Sequence, residues 1–160
     1  MTLSSLTPAD LAASRPWNRS APRPRSQRST TAPINSVAQE RANNAHWLLE
    51  RIVSEAARRR QYAPLQNAHI DLYFATPDGT VLIEIKSCHG KNVHGQVRRG
   101  IGQLLEYRYV YSAQLGDNVK PVLLIERKPP RAKMWLIEFL HQLGMTLAWK
   151  VRWTPFMGPL

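Results

Sequence analysis

The feature that most constrains the fold is a pair of short apolar runs on either side of a turn sequence. Residues 70–74 and 81–86 are separated by a segment containing Pro77, Asp78 and Gly79. This pattern is typical of a β-hairpin. Since side chains alternate along a strand, Glu84 and Lys86 should share one face of the second strand, opposite the face of Val81, Ile83 and Ile85.

The register of this hairpin depends on the length of its loop. A two-residue loop at 78–79 places Asp71 opposite Lys86 and diagonal to Glu84, so that the two carboxylates can converge on one cation. A three-residue loop would move Asp71 to the opposite face, unless a bulge restored the register. The loop length therefore decides whether these side chains meet.

Helical and strand-like patterns alternate along the rest of the chain. The expected class is α/β, with a mixed central sheet flanked by helices in the order α-β-β-α-β-α-β. The predicted elements beyond the hairpin are a helix over 36–62, an optional short strand near 62–66, a helix around 103–107, a strand over 119–126, a helix through 134–140 that ends before Gly144, and a closing strand over 147–153.

Charge is high and unevenly distributed. The chain has 22 Lys and Arg against 11 Asp and Glu, a net charge of +11, which favours a polyanionic partner. Residues 1–33 carry five arginines and one acid, Asp10, among many Ser, Thr and Pro. They are predicted to form a disordered basic arm that either touches phosphates or is a solvated tail, with an organellar transit peptide as a third reading. Residues 34–160 are the predicted folded domain.

Cysteine content and hydropathy predict the compartment. The single cysteine, Cys88, excludes an intramolecular disulfide and a zinc site with two thiolates. Its spacing to His89 and His94 matches no zinc motif. No apolar run approaches the ~20 residues that cross a bilayer, and the first residues lack the apolar core of a secretory signal. We therefore expect a cytoplasmic protein without membrane association.

The hairpin carries the residues with the most specific chemistry. Asp71, Glu84 and the backbone carbonyl of Ile85 are a candidate set of oxygen ligands for Mg²⁺, for which Mn²⁺ can substitute. Lys86 would position an attacking water or stabilise its hydroxide form, while the metal lowers the pKa of that water. This chemistry is phosphodiester hydrolysis. The alternative is an exposed strand face on which Glu84 and Lys86 are merely solvated.

These residues resemble a known family. Asp71 followed by Glu84-Ile85-Lys86 is similar to the D…(D/E)xK signature of the PD-(D/E)xK nuclease superfamily, and Gln103 and Tyr107 match the QxxxY element of several of its branches. The resemblance implies a restriction-endonuclease-like fold and metal-dependent nuclease activity. It also implies that Gln103 and Tyr107 support the site beside the metal ligands.

The similarity extends over residues 43–111 and includes Asn92 and Gln96, as in stand-alone prokaryotic members that act in phage defence or DNA repair. Ile70 stands where the signature has its proline. The acid that many members place on the first helix has two candidates, Glu40 and Glu50, and solvent exposure is expected for both.

The combined prediction is a Mg²⁺-dependent deoxyribonuclease that acts through a metal-activated water. Its partner would be DNA. The alternatives are a catalytically inactive nucleic-acid-binding module of the same fold, or an RNA nuclease. The tryptophans are expected in the core or in the interface of a homodimer. The backbone of the nucleic acid would be held by cations that flank the site, which are Lys91, Arg98, Arg99 and Arg108.

Overall fold

The computed structural model describes residues 11–18, 36–89 and 91–149. Over these residues the protein is α/β, with a six-stranded mixed sheet between helices, which confirms the expected class. The strands are β1 Arg15–Pro16, β2 Leu65–Gln66, β3 Leu72–Thr76, β4 Gly79–Lys86, β5 Val119–Ile125 and β6 Thr146–Trp149. The helices are α1 Ser36–Arg59, α2 Val93–Val110, α3 Ser112–Leu115 and α4 Trp135–Gln142, with a 3₁₀ turn at Arg131–Lys133.

The hairpin forms, but with a different loop from the predicted one. Thr76 pairs with Gly79, so the loop is Pro77-Asp78. Proline suits the first loop position because its φ is already near the required value, and Gly79 follows with a φ of +121°. The register therefore shifts by two residues, and side chains keep their predicted faces.

The observed register also changes the surroundings predicted for Asp71. Leu72 pairs with Ile83 and is the first paired residue of β3, so Asp71 lies one residue before the ladder. The predicted pairing of Asp71 with Lys86 is therefore wrong; Asp71 is joined to β4 through its side chain, whose Oδ2 accepts the Ile85 N–H at 2.7 Å.

The strands are arranged in chain order from β1 to β6. The strand pairs β1–β2, β2–β3 and β3–β4 are antiparallel, whereas β4–β5 and β5–β6 are parallel. Parallel neighbours require crossover connections, and these contain α2 and α4. The start of β3 and the carboxyl ends of β4 and β5 consequently lie at one edge of the sheet.

Each face of the sheet has its own core. Leu49, Val53 and Ala57 of α1 pack on one face with Ile83 and Ile85, while Val97 and Leu104 of α2 pack on the other with Leu82 and Leu123. The α2 helix lies close to the sheet at Gly100, where a Cβ would come within 2.3 Å of Leu123 Cδ1.

The first helix ends earlier than its predicted limit of 62. Gln61 adopts a left-handed φ of +63°, and the Tyr62 amide bonds back to the Ala57 carbonyl at 3.0 Å. Tyr62 then stacks on Phe74 with 5.6 Å between ring centroids. The helix is therefore closed by a Schellman cap at Gln61, before Pro64.

The expected disordered arm is wrong for residues 11–18. β1 pairs with β2, and Trp17 is only 3% exposed. The Arg58 guanidinium lies 5.2 Å from the centre of the Trp17 ring and donates to its carbonyl oxygen. The other residues of the predicted arm, and residues 150–153 of the predicted closing strand, lie outside the described residues.

Candidate functional site

A polar cleft of about 300 Å³ opens at the sheet edge where β3 begins and β4 ends. Five residues predicted for the site line it together, namely Asp71, Glu84, Ile85, Lys86 and Gln103. The other lining residues are His46, Ala68, His69, Ser87 and Gln96. The cleft thus combines the end of the hairpin with residues of α1 and α2.

Asp71 is fixed from two sides. It is buried, with 3% of its surface exposed. One carboxylate oxygen, Oδ2, accepts the backbone N–H of Ile85 at 2.7 Å, and the other, Oδ1, lies 3.4 Å from His46 Nε2. The backbone bond ties Asp71 to the strand that carries Glu84 and Lys86.

Glu84 is a buried carboxylate with incomplete pairing. Its Oε1 accepts a hydrogen bond from Lys86 Nζ, while its Oε2 is buried and has no hydrogen-bond partner among the described residues. Burial, together with the charge of Asp71, raises the pKa of Glu84 to about 8, although Lys86 and His46 oppose this. Burial beside a second carboxyl group therefore favours the protonated form of Glu84 in the metal-free protein.

His46 and Glu50 approach this end of the hairpin from α1. His46 Nε2 lies 3.5 Å from Glu50 Oε1, one turn along the helix. Burial alone would lower the pKa of His46, but the carboxylates of Asp71 and Glu50 outweigh burial and raise it to about 9. Without a bound metal, His46 is therefore a cation at neutral pH.

The group of metal-ligating side chains found among the described residues differs from the predicted set. His46, Glu50 and Asp71 each offer a ligand atom, all within 4.8 Å of one another, and this group could hold a metal ion. One imidazole and two carboxylates suit a divalent cation. Glu84 Oε2, which is buried and has no hydrogen-bond partner among the described residues, is a further oxygen that could accept a cation. Glu50 is 5% exposed, so its expected solvent exposure is wrong; Glu40 is exposed as expected.

Sequence reasoning did not propose His46, although a signal existed. His46 and Glu50 are four residues apart in a predicted helix and so lie on one face. Nothing local ties that face to Asp71.

The single cysteine, Cys88, is not one of the metal-ligating side chains grouped among the described residues. Burial raises the pKa of its thiol.

Gln103 and Tyr107 have different positions. Gln103 lines the cleft, and its Nε2 donates to Tyr107 Oη at 3.0 Å. Tyr107 is buried, and its hydroxyl donates to the His69 carbonyl at 3.0 Å. Tyr107 therefore connects the Gln103 amide to the backbone just before Asp71.

Asn67 organises the same stretch of backbone. Its Oδ1 accepts the amides of His69 at 2.8 Å and Ile70 at 2.7 Å. An Asx turn of this kind fixes the path of the chain into Asp71. This residue was missed because an asparagine before a strand also occurs in ordinary turns.

The predicted nucleic-acid contacts lie outside the cleft. Lys91, Arg98, Arg99 and Arg108 are all exposed. By helical spacing, Arg99 borders the side of α2 that carries Gln96 and Gln103, whereas Arg98 and Arg108 project from other sides of the helix. Arg99 is consequently the cation of α2 best aligned with the cleft.

The stability of the metal-free protein is expected to fall as the pH rises. In the folded protein the pKa of Glu84 is raised to about 8 and that of His46 to about 9, whereas the ordinary pKa values of these groups are 4.5 and 6.5. The folded state therefore binds more protons than the unfolded state, and the stability it gains is lost as the pH rises, from 4.5 to about 8 for Glu84 and from 6.5 to about 9 for His46.

Urea unfolding in the presence of a chelator measures this change. The free energy of unfolding should be lower at pH 9 than at pH 6 by at least about 1 kcal/mol. Glu84→Gln, which cannot ionise, should flatten the profile. An equally steep profile in Glu84→Gln would mean that Glu84 does not contribute.

Comparison of the sequence with protein-family models and with curated proteins, and of the fold with solved structures, gave no match. Among the described residues, no helix has the length and apolarity to cross a membrane.

Proposed function

We propose that this protein is a divalent-metal-dependent nuclease of the PD-(D/E)xK, restriction-endonuclease-like type, which hydrolyses phosphodiester bonds in DNA. The observation that supports this proposal best is the convergence of Asp71, Glu84 and Lys86 on one cleft with His46, whose imidazole also lies 3.5 Å from Glu50. Buried acids and a lysine at the end of a hairpin form a costly arrangement for a purely structural sheet.

Mg²⁺ is the proposed cofactor, with Mn²⁺ as a substitute. Asp71 would hold it together with Glu84, which interacts electrostatically with Asp71, or with His46 and Glu50, whose ligand atoms lie within 4.8 Å of that of Asp71. An imidazole ligand favours Mn²⁺ over Mg²⁺, because nitrogen suits transition metals better than hard cations. Higher activity with Mn²⁺ would accordingly indicate that His46 is a ligand.

When bound, the cation would supply Lewis-acid stabilisation of the phosphate charge and a water of lowered pKa. Lys86 Nζ, anchored by Glu84, would donate a hydrogen bond to the attacking water or to the phosphate oxygen that gains charge. The Gln103 amide, held through its nitrogen by Tyr107, would present its oxygen to the same water. The water oxygen would bond to phosphorus and lose a proton to solvent, the bond to the leaving oxygen would break, and a solvent proton would neutralise that oxygen.

The experiment that tests this function is incubation of the purified protein with supercoiled plasmid and with single-stranded RNA, each with Mg²⁺, Mn²⁺ or a chelator. We expect metal-dependent conversion of the plasmid to nicked and linear forms, or degradation from ends once it is linearised. DNA binding without cleavage under every metal condition would instead favour an inactive binding module. Cleavage of RNA alone would favour an RNA nuclease.

A further inference from the structure

A basic loop follows β5 at the same sheet edge as the cleft. We call residues 126–134 the basic loop. It contains one acid, Glu126, and that carboxylate accepts two hydrogen bonds from Arg41 Nη2, at 2.7 and 2.8 Å. The loop also carries four cations, which are Arg127, Lys128, Arg131 and Lys133. All of these except Lys133 are exposed. The loop is therefore a positively charged surface.

Exposed aromatic rings adjoin the basic loop. Trp135 is 49% exposed and Phe139 40% exposed, and their ring centroids are 5.9 Å apart. The imidazole of His94, in the first turn of α2, meets Trp135 at 5.7 Å. We call these three residues the ring cluster. Of the tryptophans expected in the core or in a homodimer interface, Trp17 and Trp149 are buried, whereas Trp47 and Trp135 are exposed.

The topology brings this surface close to the cleft. Lys86 at the end of β4 pairs in parallel with Ile125 at the end of β5, so the chain segments that follow leave the sheet side by side. The contact between His94 and Trp135 joins the first turns of the two following helices. With neighbouring strands about 4.8 Å apart and neighbouring helices 8–10 Å apart, the ring cluster lies on the order of 10 Å from the cleft. A few nucleotides of one strand span such a distance.

We propose that the ring cluster and the basic loop bind an unpaired single strand of the DNA substrate and lead it to the cleft. Exposed rings stack on bases whose faces are free, which duplex DNA does not offer. The cations would follow the phosphates of the same strand. The nearest acid along α4, Glu138, is hydrogen-bonded to Gln142 at 3.3 Å. This inference rests on the proposed nuclease function and adds the substrate class, which is DNA with a single-stranded end or flap.

Binding can be measured separately from cleavage. The full chain is titrated against a fluorescein-labelled oligothymidylate and a duplex of equal length, in a chelator, with fluorescence anisotropy as the readout. We expect Trp135→Ala to weaken single-strand binding by about 5- to 100-fold, the range found when stacking aromatics are replaced by alanine. Its duplex affinity should change by less than about twofold, because the loss is confined to stacking. Trp135→Phe should retain most of the single-strand affinity, since it keeps a ring.

The matched control is Trp47→Ala. Trp47 is 38% exposed, lies on α1 on the other side of the sheet and packs on Arg51. The Trp47→Ala variant should bind the single strand and the duplex as tightly as the wild-type protein does. The double variant Lys128→Ala, Arg131→Ala should reduce the slope of log affinity against log salt by about 1.4 for the single strand, at about 0.7 per phosphate contact.

The proposal is overturned if Trp135→Ala binds the single strand as tightly as the wild-type protein does. An equal loss for single strand and duplex would also overturn it, as would a change in oligomeric mass without a change in affinity, which would assign Trp135 to a protein interface. Failure to cleave DNA, with selective single-strand binding retained, would contradict the proposed nuclease but not this binding surface.

Discussion

Replacing Lys86 with alanine is expected to lower the rate of plasmid cleavage by about 10²- to 10³-fold, the usual cost of removing one donor that stabilises transition-state charge. Lys86 is the cationic ammonium among the described residues that line the cleft, and Glu84 fixes its position. The loss should appear in kcat, because the ammonium acts on charge that develops during the reaction.

Lys120→Ala is the matched control for this variant. Lys120 also lies on a strand and pairs with a carboxylate, Asp78, at 3.6 Å, but at the opposite end of the sheet. The control should cleave plasmid at the wild-type rate. Full activity in Lys86→Ala, with a circular-dichroism spectrum and melting temperature like those of the wild type, would contradict the proposed role of Lys86.

Replacing Asp71 with asparagine is expected to abolish both metal binding and cleavage. The amide oxygen of asparagine can still accept the Ile85 N–H, so the backbone tie is preserved. The negative charge shared with His46 is lost, and with it a ligand that cations prefer. The variant should therefore fold but fail to respond to metal.

Thermal unfolding with and without Mn²⁺ measures that response. At a metal concentration about 100 times the dissociation constant, binding should stabilise the wild-type protein by about 2.7 kcal/mol and raise Tm by several degrees. Asp71→Asn should show no increase, and the exposed turn variant Asp78→Asn should show the wild-type increase. An undiminished increase in Asp71→Asn would place the metal elsewhere in the chain.

Much of the hairpin could be predicted because its signals are local. Alternation along residues 81–86 assigns each side chain to a face, and that assignment is unaffected by a shift of two residues. The loop itself was misplaced by one residue. Glycine after aspartate suggested the loop 78–79, whereas the fixed φ of Pro77 suits a loop at 77–78.

The site could be predicted only where it belongs to one hairpin and one helix. Asp71, Glu84, Lys86 and Gln103 carry a recognisable spacing, and they line one cleft. Glu50 could not be preferred to Glu40, because both fit the first helix; the packing of α1 on the sheet buries Glu50 and leaves Glu40 exposed.

The amino-acid sequence by itself determined the strands β3, β4, β5 and β6, the approximate positions of α1, α2 and α4, and the alternating faces of the β4 side chains, because these follow from backbone periodicity over a few residues. Only the tertiary structure decided that His46 meets Asp71, that Trp17 is buried and that Trp135 is exposed. Those outcomes depend on how layers far apart in the chain pack against one another, and no local pattern encodes such contacts.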